Sequence, residues 1–176
     1  DVAGTYGIMH LNMDGTYKYT LNNSLPSVQS LAEGQQVHDI FAYTISDGHG
    51  GTASANLDMT VIGTNDAPTA VAAAAPSVTE DASSQTLNLL PLMSVADVDT
   101  GDVVHVKSAV LSSGSIPFAF SIAGDTLVYD PHQFNNLPAG GLAAPKVDIT
   151  FNDITGATVT KTLTLNITGL DDAPTA

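Results

Sequence analysis

Apolar and polar residues alternate with a period of two through most of the first 62 positions, the mark of strands with one buried face. Residues 5–12 form a first such run, with Tyr6, Ile8 and His10 on one face. Met13-Asp14-Gly15-Thr16 then predicts a hairpin, because Asp-Gly readily takes the backbone of a two-residue turn. The return strand, 17–21, carries Tyr17, Tyr19 and Leu21 on one side. Residues 22–26 read as loop and 27–31 as a turn of helix. A strand over 37–46 has Asp39, Phe41, Tyr43 and Ile45 in phase, and Asp47-Gly48-His49-Gly50-Gly51 is a polar turn. The strand 52–62 closes the run with Ala53, Ala55, Leu57, Met59 and Val61 on one face. Short strands at this spacing, with few helical patterns, predict an all-β chain of antiparallel sandwiches.

The second half repeats the first. Gly63-Thr64-Asn65-Asp66-Ala67-Pro68-Thr69-Ala70 returns as Gly169-Leu170-Asp171-Asp172-Ala173-Pro174-Thr175-Ala176, 106 residues later. The proline fixes φ and withholds a donor, so each copy ends a strand and marks a joint. Val147, Ile149, Phe151 and Asp153 lie the same 106 residues after Phe41, Tyr43, Ile45 and Asp47. Gly124-Asp125-Thr126 answers the first hairpin turn, and a strand over 157–167 answers 52–62. Two units follow, 1–68 and 69–176. In the second, 70–76 reads as linker or edge strand, 87–95 as an apolar segment and 103–111 as a strand. The units differ at their starts: the 37 residues from Ser77 to Ser113 precede Gly114, whereas three residues precede its counterpart Gly4. The first sandwich is therefore expected to be N-terminally incomplete, with open edges. A strand-complemented or domain-swapped homodimer through that unit is one expected consequence.

Composition narrows the chemistry. Hydrophobic residues make up 43% of the chain, enough for packed cores despite a net charge of −14. Of 18 acidic residues only Glu33 and Glu80 are glutamate; the rest are aspartate, which favours turns and suits oxygen coordination of hard cations. Four lysines and no arginine leave no basic surface, so no nucleic-acid partner is expected. No apolar stretch approaches the roughly 18 residues of a spanning helix, so no membrane insertion is expected either. Cysteine is absent, which excludes disulfides, thiolate zinc sites and a thiol nucleophile and leaves metal ions as a candidate staple. Paired carboxylates can serve acid–base catalysis, but these recur with the repeat and gather at a joint. The reading is a module that is not an enzyme.

Gly4-Thr5-Tyr6-Gly7, Asp14-Gly15-Thr16-Tyr17-Lys18-Tyr19, Ser46-Asp47-Gly48-His49-Gly50-Gly51 and Gly63-Thr64-Asn65-Asp66-Ala67-Pro68 closely resemble the VCBS repeat of large bacterial surface and RTX-type adhesins. The second unit resembles a bacterial cadherin-like domain. The resemblance implies tandem Ig-like and cadherin-like extender sandwiches of a secreted or cell-surface protein, exported by type I secretion. It also implies calcium (Ca²⁺) at joints between neighbouring repeat domains of the same polypeptide. Val78-Thr79-Glu80-Asp81 resembles the cadherin segment whose glutamate is a ligand. Asp97-Val98-Asp99-Thr100-Gly101-Asp102 resembles its acidic loop, Asn152-Asp153 and Ser46-Asp47-Gly48 its Asp turn, and Asn65-Asp66 and Asp171-Asp172 its linker. The D-R-E element has only Glu33 as a counterpart and the linkers lack a second Asn, so the number of ions stays open.

Calcium takes six to eight oxygens, several of them anionic. By the same mapping Asp66, Asp97, Asp99 and Asp153, with Asn65 and Asp102, form the expected set, while Asp47 awaits ligands from the missing N-terminal piece of the first unit and Glu80, Asp171 and Asp172 await a following domain. Asp14, Asp58, Asp125, Asp130 and Asp148 are read as solvated turn or surface residues, and the histidines as scattered, without metal-ligand spacing. The alternative is a carbohydrate- or protein-binding sandwich, which needs an exposed aromatic face among Tyr6, Tyr17, Tyr19 and Phe134.

Overall fold

The computed structural model describes residues 1–172; Ala173-Pro174-Thr175-Ala176, the end of the second joint motif, lies outside them. The chain is all-β and packs as two compact units. Unit 1 comprises Asp1–Asp66 with Val98–Gly101, and unit 2 comprises Ala67–Asp97 with the chain from Asp102 onward.

In unit 1, β1 (Val2–Ala3), β2 (Gly7–Leu11) and β3 (Tyr17–Leu21) form an antiparallel sheet in that order. The single helical turn α1 (Pro26–Gln29) starts on proline, whose fixed φ and missing donor suit a first turn. The strands β4 (Gln36–Ser46) and β5 (Thr52–Ile62) pair antiparallel in one unbroken register, from Gln36 opposite Ile62 to Ser46 opposite Thr52. Met9, Val28, Leu31, Phe41 and Val61 are buried between these elements, and Tyr19 meets Phe41 edge-on at 6.0 Å. The face of β2 that carries Ile8 and His10 points outward, because Met9 fills the core.

One buried charge organises this unit. Asp39 accepts the amides of Thr5 (2.8 Å), Tyr6 (3.1 Å) and Gly7 (3.2 Å) and the Tyr19 hydroxyl (2.9 Å). Its carboxylate packs so closely beneath Gly4 that a Cβ there would lie 2.3 Å from both oxygens. The Gly-Thr-Tyr-Gly motif is thus a backbone cradle for a carboxylate.

In unit 2, β6 (Ser77–Thr79), β7 (Gln85–Asn88), the helical turn α2 (Leu89–Leu92) and β8 (His105–Leu111) come first. The hairpin β9 (Phe120–Ala123) and β10 (Thr126–Tyr129), a 3₁₀ turn at Pro131–Phe134, β11 (Leu142–Ala143), β12 (Lys146–Asn152), β13 (Thr158–Thr164) and β14 (Asn166–Thr168) follow. The sheets run β7-β10-β9, β13-β12-β8 and β11-β14-β6, antiparallel except for the β14–β6 pair. Leu127 and Tyr129 of one sheet pack with Val147, Ile149, Phe151 and Leu163 of another, as in an Ig-like sandwich. Burying side chains of this size contributes roughly 1.5–3 kcal/mol each. The apolar segment 87–95 is the end of β7 with α2, and it sends Leu89 and Met93 into this core. The strand expected over 157–167 is split instead: the Leu165 amide makes the last bond in the β12 register, to Pro145 O at 3.0 Å, the proline has no amide to return it, and from Asn166, bonded to Pro76 O at 2.8 Å, the chain pairs with β6 and β11.

Hydrogen bonds repeat with the sequence. Gly34 N bonds Gly63 O and Gly63 N bonds Gln35 O; Gly140 N bonds Gly169 O and Gly169 N bonds Gly141 O. A Cβ on Gly63 would lie 2.3 Å from Ala32 O, and one on Gly169 would lie 2.3 Å from Pro138 O. Close backbone approach therefore requires glycine at both joints. Gly63→Ala is expected to destabilise unit 1 by about 2 kcal/mol, since the carbonyl it meets is main chain. A urea-melt change below about 0.5 kcal/mol would contradict this packing.

Candidate metal centre

Asp97, Asp102 and Asp153 gather in unit 2, each offering a carboxylate oxygen within 4.8 Å of the others. Two ligands bound to one calcium at about 2.4 Å can be at most about 4.8 Å apart, so the spacing is that of a single ion's ligands. Asp97 follows the bridge between Thr69 and Ala96, which ties this segment back to the chain just after the joint. Asp153 closes β12. It is buried, and its Oδ1 accepts Thr155 Oγ1 (2.9 Å), Gly156 N (2.6 Å) and Ala157 N (2.9 Å), so the turn holds the carboxylate in one orientation. Asp97 and Asp102 are half-buried. At this separation each pair of charges repels by on the order of 3 kcal/mol at an effective dielectric of about 20. A divalent cation converts that repulsion into coordination.

Asp66 and Asp99 belong to unit 1. Asp99 is buried, and its Oδ2 accepts the Asp66 amide at 2.8 Å, while the Thr100 amide bonds Ser30 O at 3.1 Å. Asn65 turns its side-chain amide onto Asp66 O at 2.8 Å, as Asn152 does onto Asp153 O. Of the expected set, Asp97, Asp102 and Asp153 converge, while the side chains of Asp99 and Asn65 hold the backbone of Asp66.

Asp47, the repeat counterpart of Asp153, folds the same kind of turn: its Oδ1 accepts His49 N (2.8 Å) and Gly51 N (2.9 Å). Those two amides hold its pKa below the usual carboxylate range. Glu80 is fully buried in unit 2; Oε1 accepts the Leu170 amide, and Oε2 has no hydrogen-bond partner among the described residues. Asp171 and Asp172 follow as exposed coil.

Two of the aspartates read as solvated have structural work. Asp125 accepts the Val106 amide at 2.7 Å and pairs with His105 at 3.0 Å, fastening β8 to the β9–β10 hairpin. Burial raises its pKa, but the Val106 amide and His105 outweigh that and leave it lowered. Asp148 accepts the hydroxyls of Ser112 and Thr162, which hold its pKa down. Both sit in strands or at a hairpin whose partners are distant in sequence, so residue type alone did not mark them. The Asp39 cradle was missed too, although its signal was present: a charge in phase with apolar residues requires buried donors. Of the aromatic positions considered for a binding face, Tyr17 alone is exposed, and Phe134 stacks on Phe118.

Residues 1–60 match the family model for a Bacterial Ig domain. The chain is also similar to the calcium-binding lectin RapA2 of Rhizobium johnstonii, 34% identical over 65 residues. The match takes in 37% of this chain and 25% of that protein, so the chain spans about a quarter of the relative's length. No helix among the described residues is long and apolar enough to cross a membrane.

Proposed function

We propose that this chain is an extracellular repeat segment of a bacterial adhesin, a structural or binding module rather than an enzyme, that uses calcium to stiffen its loops. In the parent protein it would act with neighbouring repeat domains as a stalk, delivered by type I secretion. The observation that carries the reading is the Asp97/Asp102/Asp153 triad at single-ion spacing. The Bacterial Ig match and a relative named for calcium binding support it. An ion held by Asp97, Asp102 and Asp153 would tie together segments of unit 2 that are far apart in sequence, removing conformational freedom from them.

Extracellular calcium modules bind on the order of 10⁻⁴–10⁻³ M. At tenfold excess over Kd one ion stabilises the folded state by about 1.4 kcal/mol. Thermal melting of the chain in excess calcium against EGTA is expected to show an upward shift, with none in magnesium, which demands tighter octahedral geometry. Equal melting temperatures in calcium and EGTA would remove calcium from the reading and leave the triad as a structural cluster of acids.

A further inference from the structure

The chain carries two Asn-x-Ser/Thr triplets, Asn22-Asn23-Ser24 and Asn166-Ile167-Thr168, and the fold treats them differently. A sugar joined to asparagine through this motif needs a side-chain amide that solvent reaches, on a loop that a transferase can enclose. Asn166 meets neither need. It is half-buried in β14, between β11 and β6, its main-chain amide bonds Pro76 O at 2.8 Å, and the next residue, Ile167, is fully buried.

Asn22, Asn23 and Ser24 are all exposed, on the loop between β3 and α1. The main chain holds this loop in place: Asn22 N bonds Tyr6 O at 2.9 Å, Leu25 N bonds Asn22 O at 3.1 Å, and Val28 of α1 is buried. The side chain is ordered as well. Ser24 donates its Oγ–H (2.7 Å) and its main-chain amide (3.1 Å) to Asn22 Oδ1. That amide can only donate, which fixes which end of the Asn22 side chain is the oxygen. Nδ2, the atom a sugar would join, makes no hydrogen bond among the described residues. Unit 2 repeats the surrounding residues as Asn135-Asn136-Leu137-Pro138, without the serine of Asn22-Asn23-Ser24-Leu25-Pro26. The repeat therefore does not need that hydroxyl to fold.

We propose that Asn22 is an N-glycosylation acceptor, whose co-substrate is a sugar activated at C1 as a diphosphate ester. In the transfer, Nδ2 forms a bond to C1 of the sugar. The bond from C1 to the phosphate oxygen breaks, the diphosphate leaves with that electron pair, and one Nδ2 proton passes to a base of the transferase. Ser24 is a positioning residue: its bond to Oδ1 sets hydroxyl and amide side by side, as one surface for the transferase to read. The proposal is independent of calcium, since no carboxylate of the triad takes part.

The test incubates the purified full chain with UDP-glucose and a soluble asparagine-specific N-glucosyltransferase. A second arm supplies a lipid-linked oligosaccharide and a membrane oligosaccharyltransferase. Peptide mapping by mass spectrometry reads the site. The expected result is transfer to Asn22 in at least one arm, about tenfold or more faster than to Asn166, whose reaction waits for β14 to open. The arm that succeeds identifies the donor as nucleotide-linked or lipid-linked. Asn22→Gln should abolish transfer. Ser24→Ala should slow it about tenfold, the worth of one hydrogen bond, and Ser24→Thr, which keeps the hydroxyl, should restore it. Cooperative melting of each variant checks that it folds. Three results would overturn the proposal: no sugar on Asn22 in either arm, equal transfer to Asn22 and Asn166, or undiminished transfer in Ser24→Ala.

Discussion

Asp39→Ala is expected to unfold unit 1 at temperatures where unit 2 remains folded. The substitution strands the amides of Thr5, Tyr6 and Gly7 and the Tyr19 hydroxyl in a site where Asp39 is 2% exposed. Hydrogen bonds to a charged group contribute about 1.5–3 kcal/mol each, and a buried donor without an acceptor costs about 1–3 kcal/mol. These losses are not additive, and a net penalty of about 4 kcal/mol is a moderate sum of them. A unit of this size holds about 3–10 kcal/mol in total, so one side chain carries much of it. Calorimetry of the full chain should lose the unit 1 transition and keep the other, with the assignment made from β4 and β12 amide exchange. A penalty below about 1 kcal/mol would mean that the cradle is incidental. The same site makes unit 1 acid-labile. Burial raises the Asp39 pKa, yet the Thr5 and Tyr6 amides, the Tyr19 hydroxyl and the Gly7 amide together leave it below its ordinary 3.8, while burial and Asp39 push the Tyr19 pKa to about 12. A carboxylate depressed in the folded state stabilises fully above its unfolded pKa, and that contribution is lost as pH falls through the folded one. Stability of unit 1 should therefore fall below about pH 4 in the wild type. In Asp39→Asn that component of the pH slope should vanish.

Local chemistry made much of the fold legible. The strands at 17–21 and 52–62 have the expected bounds, because alternation and the Asp-Gly and Gly-rich turns act over a few residues. The 106-residue repeat is carried into the backbone, where Gly63 and Gly169 make equivalent hydrogen bonds. What the sequence hid depends on partners far along the chain. Leu163, Leu165 and Ile167 keep one alternation across the break between β13 and β14, since the break is a change of partner: Leu165 still bonds Pro145 O in the β12 register, and Asn166 bonds Pro76 O. Asp97 and Asp99, two residues apart and identical in type, likewise take their partners from far along the chain: Asp97 lies near Asp153, and Asp99 accepts the Asp66 amide. Asp39 shows an intermediate case: its position in phase with Phe41 and Tyr43 announced burial, but its backbone donors lie 32–34 residues away.

Asp102→Asn is expected to change stability with opposite signs in the absence and presence of calcium. Asn keeps the shape and one oxygen but removes one of three charges held within 4.8 Å. Without the ion, that relieves like-charge repulsion of on the order of a few kcal/mol before screening, so the variant in EGTA should melt at or slightly above the wild type. With calcium, a neutral oxygen replaces an anionic ligand of a hard cation, and the gain of about 1.4 kcal/mol at tenfold excess should shrink to a few tenths. Asp153→Ala separates the ligand role from the structural one. It removes the acceptor for Thr155, Gly156 and Ala157, so it should lower stability by about 3 kcal/mol even in EGTA, and it should abolish the calcium shift as well. Melting of both variants with and without calcium, beside calorimetric titration, distinguishes the cases. A wild-type calcium shift that persists undiminished in Asp102→Asn would place the ion elsewhere. A calcium shift that shrinks in Asp102→Asn while its EGTA melting stays at or above the wild type is what ligation by this triad predicts, because a bound cation turns the surplus of negative charge from a cost into coordination.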